Sequence, residues 1–355
     1  MPTIPTSTVI SGENSSKSTS IENKFVMNIK SNIFNVEESL LVLVENIIWP
    51  ILLAMTVLIA VILPQLFRGF STIELIFFLA VPLGLLALAE GICLLSGNFD
   101  LSVGAIAGFS AMFTGMAFTE WNLISSPEAG ILLILLVGAV IGLVNGFMIA
   151  IVGVNPFLQT LAFFIILHGA KTALNPMTVS GLPEGYTYLG NNSWTAVTIL
   201  FAMYLIAGLT LRYTDFGQAV YAVGSDQKSA RSVGINTNRV IIMVFTISGI
   251  LSSMAGLMLT GYLTVVPPDL ARGSVFPAFA AAVIGGISLF GGRGKIIGVL
   301  GGVLLLGIIQ AALNVSGVAA PKVEMVNGIV LLLAIVLYTG QTRLRNKIIT
   351  AGVGS

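Results

Sequence analysis

Charged residues are scarce in this chain. Asp, Glu, Lys and Arg make up 9% of its 355 residues against 56% hydrophobic ones, and mean hydropathy is +0.99. No soluble domain carries that balance, so the chain is read as a multi-span protein of the lipid bilayer. A single cysteine, Cys93, excludes an intramolecular disulfide and any multi-cysteine metal site. A single histidine, His168, excludes the usual zinc-hydrolase ligand sets. The run GGRGK at Gly291–Lys295 lacks the spacing and the following Ser or Thr of a phosphate loop. No nucleophile triad or catalytic carboxylate pair stands out, so neither an enzyme nor a bound cofactor is expected. A net charge of +1 leaves no footprint for nucleic acid. Met1 to Lys30 holds no apolar core of the length a cleavable signal needs.

Several apolar runs reach the roughly 20 residues that a helix needs to cross the hydrocarbon core. Ten are counted, at about 47–67, 72–95, 101–119, 129–151, 157–174, 194–211, 240–263, 275–290, 296–315 and 325–342. The expected fold is therefore an all-α polytopic bundle of about ten transmembrane helices with a short helix outside the bilayer. Residues 1–45, rich in Ser, Thr and Asn, read as a disordered or surface-lying cytosolic tail. Residues 46–342 form the membrane domain and 343–355 a second cytosolic tail. With the N-terminus inside, ten spans leave twelve Lys and Arg on the cytosolic side and four outside (Arg68, Lys171, Arg272 and Lys322). That asymmetry follows the positive-inside rule and puts both termini in the cytosol.

One polar island interrupts the apolar blocks, Tyr213 to Arg239. Within it, Asp226 to Val233 reads as a helix of about two turns, with Ser225 or Asp226 as N-cap and Gly234 as its left-handed terminator. So short a helix does not hold itself in water, and one held between two spans suits a groove on a cytosolic partner. The plainer alternative is a solvated connecting loop. Outside, the segment 175–193 and the shorter Thr264–Ser274 are open as docking surfaces or as plain turns.

Gly138, Gly142 and Gly146 share one helix face, as do Gly104 with Gly108 and Gly298 with Gly302, and such faces let backbones approach closely. The segments from Gly97 and from Gly291 share a glycine turn followed by a glycine-spaced helix, a faint internal repeat. Asp100 is placed to cap the helix that follows through Ser102 or Val103 N–H; alternatively Asn98, Asp100 and Ser102 line a broken helix along a polar path. Glu90 is an acid inside an apolar run, either functional or paired with neighbouring helices. Phe157, Gln159 and Thr160 open the fifth span and suit either a neutral polyhydroxylated ligand or helix–helix hydrogen bonds. Few other ionisable groups lie in the spans, which weighs against ion-coupled transport.

Taken in order, GNFDLSVGAIAGFSAM, VNPFLQTLAF, FGQAVYAVGSDQKSARSVGINTNRV, ISGILSSMAGLML and AAAVIGGISLFGGRGKIIGVLGG resemble the ribose-type sugar permeases of ATP-binding-cassette importers, over roughly residues 70 to 320. The resemblance implies a pore built from two permease copies or paralogues in a prokaryotic inner membrane. It also implies a separate cytosolic ATPase subunit and an extracytoplasmic binding protein that delivers a monosaccharide. It assigns Gly217, Ala222, Gly224, Ala230, Arg231, Gly234 and Ile235 to the loop that contacts the ATPase, beside Asp226 as cap. Asp100, Leu101, Ser102 and Gly104 match the family's Asp-Leu-Ser-Val-Gly signature, whereas Asn98 and Phe99 depart from its usual Gly-Ile. Permeases of the same superfamily for nucleosides or branched-chain amino acids are the nearest alternative, and an ion-driven secondary transporter the next.

Overall fold

The computed structural model describes residues 46–353, and the tail assigned to residues 1–45 lies outside them. Among the described residues the chain is helical, and its β structure is one antiparallel bridge between Val179 and Val266. The helices are α1 (Ile48–Ile62), α2 (Phe70–Leu95), α3 (Val103–Thr119), α4 (Pro127–Phe147), α5 (Pro156–Leu174), α6 (Glu184–Asn191), α7 (Ser193–Tyr213), α8 (Asp215–Ser225), α9 (Gln227–Ser232), α10 (Thr237–Leu263), α11 (Val275–Ile284), α12 (Ile296–Val315) and α13 (Ala320–Val353). Residues 48–339 form one compact unit; of the other, residues 1–47 and 340–355, the described parts are 46–47 and the last turns of α13.

Among the described residues seven helices are long and apolar enough to cross a bilayer: α2, α4 with the π turn Met148–Val152, α5, α7, α10, α12 and α13. The remaining three apolar runs hold the shorter helices α1, α3 and α11. Two of them are shortened for a visible reason. Pro64 follows α1 and opens a 3₁₀ turn, Pro64–Phe67, because proline cannot continue the ladder. The run at 275–290 is helical only to Ile284, since Gly286 turns the chain with a φ of +90°.

Glycine determines how closely the central helices approach. α4 and α10 run antiparallel, with Gly138, Gly142 and Gly146 against the backbone of Gly249, Phe245 and Ile242. A methyl group at Gly142 would lie 2.2 Å from the Phe245 carbonyl oxygen. In lipid there is no hydrophobic force between helices, so this closeness is what holds the pair. The opposite face of α4 leaves Leu132, Leu136, Val140 and Leu143 exposed, a stripe at helical spacing that suits lipid and not water. Gly298 and Gly302 pack in the same manner on Gly285 and Ala281, joining α12 to α11.

Two helices lie in segments that read as loops. α6 occupies the segment 175–193, where Tyr186 is buried against Phe118. α8 precedes the short helix in the polar island, capped by Thr214 and burying Gly217, Val220, Val223 and Gly224.

Candidate functional site

The short helix of the polar island, α9, is capped at both ends. Asp226 ends α8 through its N–H to Ala222 and begins α9 by accepting the Ser229 N–H at 2.6 Å. At the other end Gly234, at φ +87°, donates to Arg231 O while Ile235 N–H donates to Ala230 O. That paired closure satisfies two otherwise orphan carbonyls and brings Ile235 over Ala230. Arg231 turns back to the start of α10, its Nε donating to Thr237 Oγ1 at 2.7 Å and Nη2 to Asn238 Oδ1 at 3.3 Å. The helix is thus held by its own chain, which answers how six residues stay helical. Asp226 itself is solvent-facing, and its carboxyl is held below its ordinary value by the Ser229 N–H, then by the Ser229 hydroxyl.

The eight residues assigned to this loop do not act alike. Gly217, Gly224 and Ala230 are buried, Ala222 and Ile235 half-buried, and Asp226, Arg231 and Gly234 exposed. The buried ones shape the loop. A methyl at Gly217 would meet the Leu211 carbonyl at 2.3 Å, and one at Gly224 the Leu95 carbonyl at 1.9 Å. Around Gly224 three backbone segments converge: Gly292 N–H donates to Leu95 O at 2.9 Å, and Gly97 and Gly291 pack on Gly224 itself. The end of α2, the end of α8 and the loop before α12 are therefore one junction. The outward face carries Lys228, Ser229, Ser232 and Val233, the last 76% exposed. Val233 was not singled out by sequence, where a valine next to Gly234 reads as part of the helix end.

Leading out of that junction, α2 closes at Gly97 with the same paired geometry, Gly97 N–H to Leu94 O and Asn98 N–H to Cys93 O. The turn leads into Asp100, which is buried. Asp100 Oδ1 accepts Ser102 N–H at 2.9 Å and Ser102 Oγ–H at 2.5 Å, and Oδ2 accepts Ser248 Oγ–H from α10 at 2.9 Å. Ser102 Oγ in turn accepts Asn145 Nδ2–H from α4, and Asn145 Oδ1 accepts Gln159 Nε2–H from α5 at 3.3 Å. Thr160 Oγ1 accepts Leu101 N–H and donates to Pro156 O. One chain of polar groups thereby pins α3, α4, α5 and α10 beside the junction. Asn145 and Ser248 were missed by sequence reading; a lone amide next to Gly146 inside an apolar span was the available signal.

Of the residues considered for a path, Glu90, Asn98, Asp100, Ser102, Gln159 and Thr160 are buried within this chain. Asn98 donates to Ser96, and Glu90 has both carboxyl oxygens without a hydrogen-bond partner. Phe157 alone is open, at 50% exposure, stacked on Phe99, which meets Phe279 of α11 edge-on at 4.8 Å. On the opposite side of the bundle the segments 175–183 and 264–274 are joined by the Val179–Val266 bridge, and the buried Lys171 donates to Leu270 O at 3.0 Å.

Residues 72–335 match the family described as branched-chain amino acid transport system / permease component. The chain is 34% identical over 295 residues to the ribose import permease protein of Bacillus subtilis, covering 81% of this chain and 90% of the relative. Identity to the fructose import permease protein of Rhizobium meliloti is 29% over 290 residues, 78% of this chain and 80% of the relative. The L-arabinose transport system permease protein of Escherichia coli is 31% identical over 258 residues, 71% and 78% of the two chains.

Proposed function

The chain belongs to the family of branched-chain amino acid transport system / permease components, and from that premise we propose that it is the membrane-spanning subunit of an ATP-driven importer for a monosaccharide. The sugar reading is supported by the relatives named for ribose, fructose and L-arabinose. A pentose, a hexose or a related polyol fits it. The observation that carries the ATP-driven part is α9. It is capped at both ends by its own chain, yet it holds Lys228, Ser232 and Val233 outward, the arrangement of a rigid knob for a groove on another protein. Mechanically, a push on α9 passes through Asp226 to α8 and through Gly224 to the end of α2 and the loop before α12. From α2 it reaches the Asp100 network and the four helices that the network pins. Phe99, Phe157 and Phe279 form the aromatic surface beside half-span α11 where two permease copies would enclose a path. The expected partners are a cytosolic ATPase subunit, an extracytoplasmic substrate-binding protein and a second permease copy or paralogue. Both termini are assigned to the cytosol by the charge asymmetry.

The family description favours one alternative, a branched-chain amino acid permease, and nucleosides belong with it. An ion-driven transporter is supported by Glu90 alone. Proteoliposomes holding the permease, its cognate ATPase and its binding protein separate these readings. Uptake of a labelled sugar that requires ATP on the α9 side and survives dissipation of ion gradients supports the importer. Uptake of amino acids instead of sugars, or uptake that an ionophore abolishes while ATP is present, would overturn it.

A further inference from the structure

The most exposed large apolar side chain among the described residues is Phe290, at 85%; the next are Val233, at the end of α9, and Val61, both at 76%. Phe290 stands at the tip of the turn 288–293, between α11 and α12. That turn is bonded on every side. Ser288 N–H donates to Arg293 O at 2.9 Å and Gly291 N–H to Ser288 O at 3.2 Å, which closes it like a hairpin. Phe290 N–H donates to Ser288 Oγ at 3.2 Å, and Leu289 N–H to Tyr338 Oη of α13 at 3.3 Å. Gly292 N–H is held by Leu95 O at the end of α2, and Tyr221 of α8 donates to Gly294 O at 3.0 Å. The ring is therefore presented by a fixed backbone, and an anchor fixed in advance costs little ordering when it binds.

Its place in the fold names the partner. Gly292 packs on Ser225, where a methyl would come within 2.7 Å of the backbone, and Ser225 lies two residues before α9. At about 3.8 Å per Cα step, Phe290 is within about 20 Å of the start of α9. A standard interface covers about 800 Å² of each partner, a patch roughly 30 Å across, so one protein seated on α9 reaches Phe290 as well. Arg293, exposed at the end of the same turn, adds the other residue type that interface centres favour. From this we infer that the turn 288–293 is a second contact for the cytosolic ATPase subunit, Phe290 filling an apolar pocket on it and Arg293 meeting the rim. The inference rests on the reading of α9 as the coupling element. It adds a direct grip on the Gly224 junction, because Gly292 is bonded to Leu95 without passing through α9.

The test uses the assembled importer in proteoliposomes, with Phe290→p-benzoylphenylalanine in one preparation and Val233→p-benzoylphenylalanine in another. Irradiation should join both positions to the ATPase. Adducts from position 290 on lipid or on the second permease copy, with none on the ATPase, would overturn the proposal. If position 233 alone reaches the ATPase, this contact is lost and the reading of α9 stands; if neither does, both are lost. Phe290→Ala should raise the Kd of the purified ATPase for the permease about tenfold, and Phe290→Tyr should leave it within about twofold. The thermal unfolding temperature of the permease should not move in either variant, since the ring packs on little within its own chain. An unchanged Kd in Phe290→Ala would equally overturn the proposal.

Discussion

Asp100 accepts three hydrogen bonds from two serines, and the chemistry of those donors predicts which replacements survive. Asn keeps one carbonyl oxygen for Ser102 and offers an amide to which the Ser248 hydroxyl, able to reverse, can accept. Asp100→Asn should therefore assemble and retain most uptake. Asp100→Leu strands one N–H and two hydroxyls in a buried site, at about 1–3 kcal/mol for each unsatisfied group, and should lower the thermal unfolding temperature and abolish uptake. Loss of uptake in an intact Asp100→Asn protein would show instead that the carboxylate belongs to the transport path. Gly224 poses a steric question of a different kind. A methyl there meets Leu95 O and Gly292 N at 1.9 and 2.6 Å, both backbone atoms that cannot swing aside. Gly224→Ala should destabilise by about 3 kcal/mol or more, measured by thermal unfolding in detergent, while Gly208→Ala, which meets nothing within 4 Å, serves as its neutral control.

Helix α9 combines features that the sequence displays plainly with others that it conceals. Asp226 as cap and Gly234 as terminator are legible because capping chemistry is local and needs only residue type and spacing. α8 is not legible, since its buried face is made partly of Gly217 and Gly224, small residues that carry no apolar signal but are needed for backbone contact. Asn145 and Ser248 were equally hidden: nothing local marks which polar residue of one span will meet which of another. The glycine stripe of α4 stands between these cases, visible as a face yet silent about α10 as its partner. Acid should act on α9 through its cap. The Asp226 carboxyl titrates below its ordinary value of 3.8, so its contribution is complete above that value and disappears as pH falls through the lowered one. A spin label at Lys228→Cys in a Cys93→Ala background should stay immobile at about pH 5 and loosen only below about pH 4. In an Asp226→Asn background that acid response should vanish. Gly234→Ala should loosen the same label at neutral pH, because a left-handed alanine costs about 1 kcal/mol or more.

Across the whole molecule, α9, the Gly224 junction and the Asp100 network are contiguous, running from the polar island to one end of each of α3, α4 and α5 and to the middle of α10. Orientation decides which partner can reach that path. Cysteines placed at Lys228 and at Met177, which is 70% exposed in the segment before α6, should react with an impermeant thiol reagent only from the cytosol and only from outside, respectively. Labelling of position 228 in intact cells would invert the assignment. Ala230→Glu is unsuited to testing the partner contact itself, because Ala230 is buried in this chain and an unpaired charge there would report on permease folding. Val233 is outward and makes the cleaner probe. The most direct measurement of the account is co-purification of the cognate ATPase with the Val233→Asp permease, together with substrate-stimulated ATP hydrolysis in proteoliposomes. We predict a normally folded protein in which both fall about tenfold or more, as for the loss of a central interface anchor; wild-type levels of both would contradict the assignment of α9 as the coupling element.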